Sequence, residues 1–369
     1  MEKGNRLMSL DALRGFDMFF ITGGSGLISA LCGAFGDSHC WLAKQMGHVA
    51  WAGLAHHDTI FPLFLFLAGV SWPFSYASQV GKGRSALQIH LKVVLRMLIL
   101  ATLGMMIGGL LRFNPPFRIP SVLGQIGLSW GIAAMIFMHV KKPLVRGLVI
   151  GGILVAYWLV LAFVGAPDAP AGADFYSKQW NIVSWLDRTL MPNYIYVKNV
   201  YDPESLFCVP AGAALAMLGM TAGSILRLDA WKPGRRAAVL LGLSLATLAA
   251  AFFFIYVLRM PIIKALWTSS FVLSAAAYSF AMLALFYWIV DVRGWRRWTF
   301  YFRVIGMNSI TVYMMMAIGI VGAFRAFFFG GLVAQFSGPW KAVASNAAFQ
   351  LAAWLLLYIL YRKKAFLKV

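Results

Sequence analysis

An all-α protein that crosses a membrane about ten times, with both termini cytoplasmic, is what this sequence predicts. Composition is the first reason. Of 369 residues, 61% are hydrophobic and only 12% charged, about half the charged share of a soluble domain. Repetition is the second: apolar stretches of about 20 residues recur, the length a helix needs to cross the hydrocarbon core. Charge placement is the third. With ten spans and the N-terminus inside, 22 of the 32 Lys and Arg fall in the N-terminal segment, the even-numbered turns and the C-terminal tail, and 10 fall on the other side. Short basic turns set orientation, so the net charge of +20 is a topology signal and not a nucleic-acid footprint.

The first span, roughly residues 10–33, carries Asp11, Arg14 and Asp17 three residues apart, close enough on one helical face to pair. Ser9 is its expected N-cap. It lacks an A-x-A cleavage site, which reads as a retained helix and not a signal peptide. Charges within a membrane helix are costly and turn to the bundle interior or a watery cavity. They form either a structural ion-pair network or, at Arg14, a contact for a phosphorylated ligand from the cytosol. The second span, roughly 59–79, opens on Asp58 as cap, with Pro62 close enough to the start to be tolerated. Spans three and four, roughly 92–111 and 121–139, carry Gly104 and Gly108, then Gly127-Leu128-Ser129-Trp130-Gly131. The last string has the letters of a nucleophile elbow, but that chemistry needs a strand–turn–helix. Small residues four apart in an apolar helix serve close packing instead.

The fifth span, roughly 144–165, leads into residues 166–205, rich in Asp, Pro, Asn and Tyr and the one sizeable piece outside the membrane. With no separate soluble domain, residues 1–369 read as one transmembrane unit. Asp202-Pro203-Glu204 opens the sixth span, roughly 206–226, as N-cap, N1 proline and first-turn acid; facing the outer chamber, a carboxylate there could also bind an amino group. After a seventh span at roughly 237–257, the string Lys264-Ala265-Leu266-Trp267-Thr268-Ser269-Ser270 enters the eighth, roughly 267–290. The ninth, roughly 300–325, holds Asn308, Ser309, Thr311 and Tyr313 in its first turns, where they either bond neighbouring helices or line a polar tunnel. The tenth covers roughly 345–361.

Cys32, Cys40 and Cys208 all fall near the outer side. An odd count sets no pattern, and Cys32–Cys40 is the bridge considered. The sequence contains no metal-spaced Cys/His cluster, no Walker sequence and no HExxH. Ahead of the second span, His48, Trp51, His56, His57 and Asp58 crowd into about ten residues. An imidazole takes up and releases protons near neutrality, and a carboxylate partner or burial tunes it. A lone histidine at an interface is ordinarily just solvated; this grouping marks His48 as a catalytic candidate without saying which reaction.

Taken together the motifs resemble the heparan-α-glucosaminide N-acetyltransferase family and its bacterial relatives. The matching segments are Arg6-Leu7-x-Ser9-x-Asp11-x-x-Arg14-Gly15, His48-x-x-Trp51-x-Gly53-Leu54, Asp58-x-x-Phe61-Pro62-x-Phe64-x-Phe66-x-x-Gly69, Val122-Leu123-x-x-x-Gly127, Asp202-Pro203-Glu204, Leu266-Trp267, Val290-Asp291-Val292-x-Gly294 and Gly306-Met307-Asn308-Ser309-Ile310-x-Val312-Tyr313. They run in family order. The resemblance implies that His48 is the active-site residue and that an acetyl group passes from cytosolic acetyl-CoA to the amino group of a terminal glucosamine across the membrane. That agrees with the topology, which puts His48 outside and the basic surface, suited to CoA phosphates, inside. The lysosomal member's N-terminal luminal extension and extra preceding span have no counterpart in this sequence, and Ser25 stands where it carries an asparagine. The compact form resembles the bacterial members, implying an inner-membrane location and leaving the acceptor sugar open.

Two functions follow from these readings. As an acetyltransferase, His48 acts as base or as acetyl acceptor, with Asp58 orienting the ring. Trp51, His57, Asp202, Glu204, Lys264 and Trp267 meet the sugar, while Arg14, Asn308, Ser309 and Tyr313 meet acetyl-CoA, and no metal is needed. A homodimer is expected from the Gly-rich helix faces and the family. As the alternative, ten spans with intramembrane charges would also suit a carrier for amino sugars. Carriers of many kinds carry inverted repeats and a midplane site; the halves of this sequence show no convincing repeat, and the first-span charges lie near a surface. The enzyme is the favoured expectation.

Overall fold

The computed structural model describes residues 7–110, 118–197 and 200–366; Arg6 of the first motif and the end of the third expected span lie outside them. Among the described residues all regular structure is helical, apart from isolated bridges. Apart from short turns such as Trp41–Gln45, the helices in chain order are α1 (Met8–Ala34), α2 (His56–Gly81), α3 (Ala86–Ile107), α4 (Val122–His139), α5 (Pro143–Phe163), the short α6 (Ile182–Leu190), α7 (Leu206–Leu226), α8 (Pro233–Val257) and α9 (Ser269–Val292). They are followed by α10 (Thr299–Gly306), α11 (Ser309–Ala317), α12 (Ile320–Ala334) and α13 (Gly338–Arg362). Among the described residues nine helices are long and apolar enough to cross a membrane, and ten when the bent pair α11–α12 counts as one span. This is an all-α integral membrane protein.

The layers follow from which helices can afford polar faces. In the most apolar stretches of α2, α4, α7 and α9, 61–72% of residues are buried, against 22–28% in α3, α5, α8 and α13. The first four form an inner group and the others shield it. Leu91, Leu95 and Leu98 of α3 stay exposed on the molecule's flank, as suits a surface solvated by lipid chains. The inner group closes by backbone contact. A Cβ on Gly219 would run into the Phe66 carbonyl, and one on Gly69 into the Ala216 carbonyl, so only glycine lets α2 and α7 approach this far. A second such seam joins α1 to α10, where Gly15 lies against the Phe302 carbonyl and Gly306 against that of Asp11.

Several expectations change in detail. Ser9 is not an N-cap: it is buried inside α1, and its N–H donates to Asp291 Oδ2 at 3.3 Å. Asp202 does not cap α7 either, since Ser205 Oγ accepts the Phe207 N–H at 3.1 Å. The third helix starts at Ala86, earlier than expected, because Ser85 and Gln88 form a reciprocal cap. The ninth span is not one rod. Asn308 breaks it, Gly319 with φ +83° turns it, and α11 and α12 meet at 77°. Cys32, Cys40 and Cys208 are free thiols, so the considered bridge is not formed. The Ser129 string lies in α4 as expected, with its hydroxyl donating to the Val209 carbonyl at 3.1 Å.

Candidate active site

One end of the bundle collects the loop before α2, the described residues of the segment 166–205 and the lead-in to α9. The loop owes its shape to its neighbours. Ala52 bridges Ile263, and the Gly53 N–H donates to the Ile262 carbonyl at 2.8 Å; Gly53 has φ +126°, which a side chain would strain. Asp58, in the first turn of α2 and fully buried, ties the pieces together. Its Oδ2 accepts the N–H groups of Val49 at 3.3 Å and Ala55 at 3.2 Å. Its Oδ1 lies 2.7 Å from His48 Nδ1 and 3.3 Å from Lys264 Nζ. With Nδ1 donating to a carboxylate, the neutral ring of His48 keeps its lone pair on Nε2. The rings of His48 and His57 meet edge to face at 4.6 Å, and Ser25 Oγ lies 3.0 Å from His57 Nδ1.

His48, Asp58 and Lys264 line a cavity of about 360 Å³ together with Trp51, Tyr196, Tyr201, Arg118 and Glu204. The Trp51 indole N–H donates to the Tyr176 carbonyl at 2.8 Å and its ring meets Tyr201 edge to face at 5.1 Å. In the same cavity, Arg118 Nε donates to Asp202 Oδ2 at 2.9 Å, its Nη2 bonds both Asp202 and Glu204, and its guanidinium lies 4.8 Å from the Tyr196 ring centre. Asp202 is held in turn: the Tyr196 N–H donates to its Oδ2 at 2.8 Å, and its own N–H donates to Asp187 Oδ2 at 3.1 Å. Ser205 Oγ donates to Asp187 Oδ1 at 2.7 Å.

The electrostatics follow from burial and pairing. Burial pushes the Glu204 carboxyl upward, with the Arg118 charge opposing it. Burial would lower Arg118, but its bonds to Asp202 and the Glu204 charge outweigh that and raise it. Burial lowers Lys264, against the pull of Asp58 and Glu204. Perturbed groups converging in one cleft are common at functional sites, which makes this cavity the candidate. Among the described residues no group of three or more His, Cys, Asp or Glu is arranged to hold a metal.

The site residues expected from sequence divide into three sets. His48, Trp51, Asp58, Glu204 and Lys264 share the cavity, and Asp202 stands behind it on Arg118. Trp267 does not line it: fully buried, it packs against the rings of Phe61 at 5.2 Å and Phe271 at 5.7 Å. The residues expected to meet acetyl-CoA lie outside that cavity. Ser309 and Tyr313 line a small apolar gap of about 40 Å³ with Met18, Ile21, Phe61 and Phe64. Arg14 bonds Ser71 Oγ and the Leu67 carbonyl, at 3.4 Å, and pairs with Asp11 at 3.6 Å. Asn308 donates to the Ala365 carbonyl at 3.1 Å, toward the C-terminal end. Sequence reasoning missed Arg118, Tyr196, Tyr201 and Asp187. Arg118 meets its carboxylates 84 and 86 residues away, and no local pattern announces such a pair.

The arrangement can do defined work. A proton acceptor, Nε2, stands in a cavity with a carboxylate for orientation, a cation beside it and aromatic edges that suit a sugar ring. From Asp58 to Ser71 along α2 is 13 residues, or roughly 20 Å, with the apolar gap between these two polar stations.

No protein-family model matches the chain. The heparan-alpha-glucosaminide N-acetyltransferase of Mus musculus is 27% identical over 433 aligned positions, covering 99% of this chain and 61% of that protein. The protein of the same name from Homo sapiens is 26% identical over 432 positions, covering 99% of this chain and 60% of its own length. The chain thus spans about three-fifths of the length of the curated relatives it matches.

Proposed function

Since the chain belongs to the heparan-alpha-glucosaminide N-acetyltransferase family, with similarity running through 99% of its length, we propose that it is a transmembrane acetyltransferase of amino sugars. The acetyl group comes from acetyl-CoA on the cytoplasmic side and goes to the amino group of a glucosamine-type sugar on the outer side of a bacterial inner membrane. The observation that carries this reading is the Asp58–His48 pair, at 2.7 Å, in a cavity with Trp51 and Glu204.

His48 Nε2 takes a proton from the amine as its nitrogen attacks the thioester carbonyl; the N–C bond forms, the C–S bond breaks, and the proton passes to the leaving sulfur as free CoA. A base so placed contributes roughly 10²–10⁴-fold. Direct transfer fits better than an acetyl-histidine. An acetyl group on Nε2 with Nδ1–H retained would make the ring cationic, 3.1 Å from Lys264 Nζ, and that charge opposes its accumulation. Glu204 and the Arg118–Asp202 pair suit a sugar's amino and hydroxyl groups, and Trp51 suits its apolar face. The acetyl-CoA arm would run past the Ser309–Tyr313 gap, with Arg14 and the basic end of the bundle holding its phosphates. Arg96, whose guanidinium sits 4.2 Å from the Trp130 ring centre and whose Nε is buried without a partner, supports an anion at that depth. A homodimer suits α5, where Gly147 and Gly151 lie one turn apart with open space beside them.

Purified protein given acetyl-CoA and glucosamine should yield N-acetylglucosamine by mass, and His48→Ala should remove at least 99% of it, the low end of the base contribution. No product from the intact protein, with solute uptake into liposomes that needs no acetyl-CoA and survives His48→Ala, would support a carrier instead.

A further inference from the structure

Lys264 entered as a substrate contact, yet its position describes a different task. Its side chain is 17% exposed, and its Nζ lies 3.3 Å from Asp58 Oδ1 and 3.1 Å from His48 Nδ1. The His48 ring thus sits against an anion and a cation at once. The titratable groups facing it among the described residues are Asp58 and His57, both from α2, and Lys264 from the lead-in to α9. Behind Lys264 stands Glu204, bound by Arg118.

A carboxylate alone beside an imidazole does two things: it fixes the tautomer, and it stabilises the protonated ring. Only the first helps a resting base. A protonated ring has no lone pair to accept the amine's proton. We infer that Lys264 is a positioning residue for His48, a fixed cation that cancels the charge of Asp58 as seen from the ring while leaving the Nδ1–H to Asp58 bond intact. The two charges then offset each other at the ring, and the Asp58 bond leaves Nε2 as the free nitrogen. Once Nε2 has taken the amine's proton, the nearby ammonium makes that imidazolium short-lived and drives the proton on to the departing sulfur. No atom is gained or lost in this; Lys264 acts through its field. Burial weakens its hold on its own proton, and the carboxylates of Asp58 and Glu204 oppose that.

The catalytic consequence rests on the acetyl-transfer reading, but the effect on the ring does not, so the two are tested separately. The full-length protein in detergent is treated with diethyl pyrocarbonate, which modifies only unprotonated imidazole, and labelling of the His48 peptide is followed by mass spectrometry from pH 5 to 9. In Lys264→Met the pH of half-maximal labelling should rise by about one unit or more, a tenfold or greater loss of unprotonated ring at fixed pH. Lys264→Arg keeps the charge and should leave the midpoint within about 0.3 of a unit. Lys264→Gln, which still donates to Asp58, should move with Met and serves if that variant does not fold. The acid limb of kcat/KM for acetyl transfer should shift with the labelling. A midpoint unmoved in Met and Gln, or moved as far in Arg, overturns the role. A moved midpoint in a protein that acetylates no amine overturns the transferase reading and leaves Lys264 as inferred.

Discussion

Asp58 has two oxygens and four donors around them: the Val49 and Ala55 N–H groups, His48 Nδ1 and Lys264 Nζ. Asparagine keeps the shape but replaces one acceptor with an NH2 that must face donors. Asp58→Asn should therefore leave the fold intact, lose the Nδ1–H tautomer, and lower kcat for acetyl transfer by roughly 10²–10⁴-fold. Initial rates on a variant that melts like the parent check this; activity within about threefold of the parent would mean the carboxylate is not orienting the base. Legibility at this scale depends on separation. His48 and Asp58 are ten residues apart and stood out together, whereas Asp202 read as a helix cap and its partner Arg118, 84 residues away, drew no reading at all. Trp267 misled because an aromatic in a polar string reads as a sugar platform; its left-handed backbone, φ +48°, turns it into the core instead.

At the scale of elements, α6 matters more than its nine residues suggest, because Asp187 on it fixes the turn that carries Asp202 and Ser205. Burial raises the Asp187 carboxyl from the ordinary 3.8 to about 7. A raised acid favours the folded state in its protonated form. Its contribution is whole below the unfolded value and is lost as pH climbs through about 7, by up to about 4 kcal/mol for a buried group. Melting temperature should thus fall between pH 5 and 8 in the parent relative to Asp187→Asn, which has no proton to lose. Parallel melting curves for the two proteins across that range would refute it. Span positions were legible because each needs about 20 apolar residues. Helix ends and breaks were not: Ser205 outcompeted Asp202 for the cap through geometry, and the Gly319 bend left no mark in hydropathy.

For the whole molecule, the charge distribution makes a claim about sidedness. With the native cysteines replaced, Ala171→Cys in the segment 166–205 should react with an impermeant maleimide added to intact cells. Ala230→Cys in the basic turn before α8 should react only after permeabilisation. The reverse pattern would put the cavity on the cytoplasmic side and separate it from the proposed acceptor. Close helix packing was legible in small residues four apart, as at Gly127 and Gly131 of α4, but the division into an inner group and a shield was not. Which helix pairs touch did not follow, because hydropathy says how deep a segment lies and not what lies beside it.

The two glycine seams divide the bundle mechanically. Backbones already in contact, α2 on α7 and α1 on α10, have no side chain left to rotate out of the way, so each pair should behave as a unit. The apolar gap takes walls from both pairs, Phe61 and Phe64 on one and Met18 and Ile21 on the other, and from α4 and α11 besides, and at about 40 Å³ it is too narrow for a chain of atoms to slide through. On the acetyl-transfer reading, an acetyl-CoA arm that reaches His48 through this gap requires its walls to part, and the Arg14–Ser71 bond, which ties α1 to α2, is a contact that such an opening would stretch.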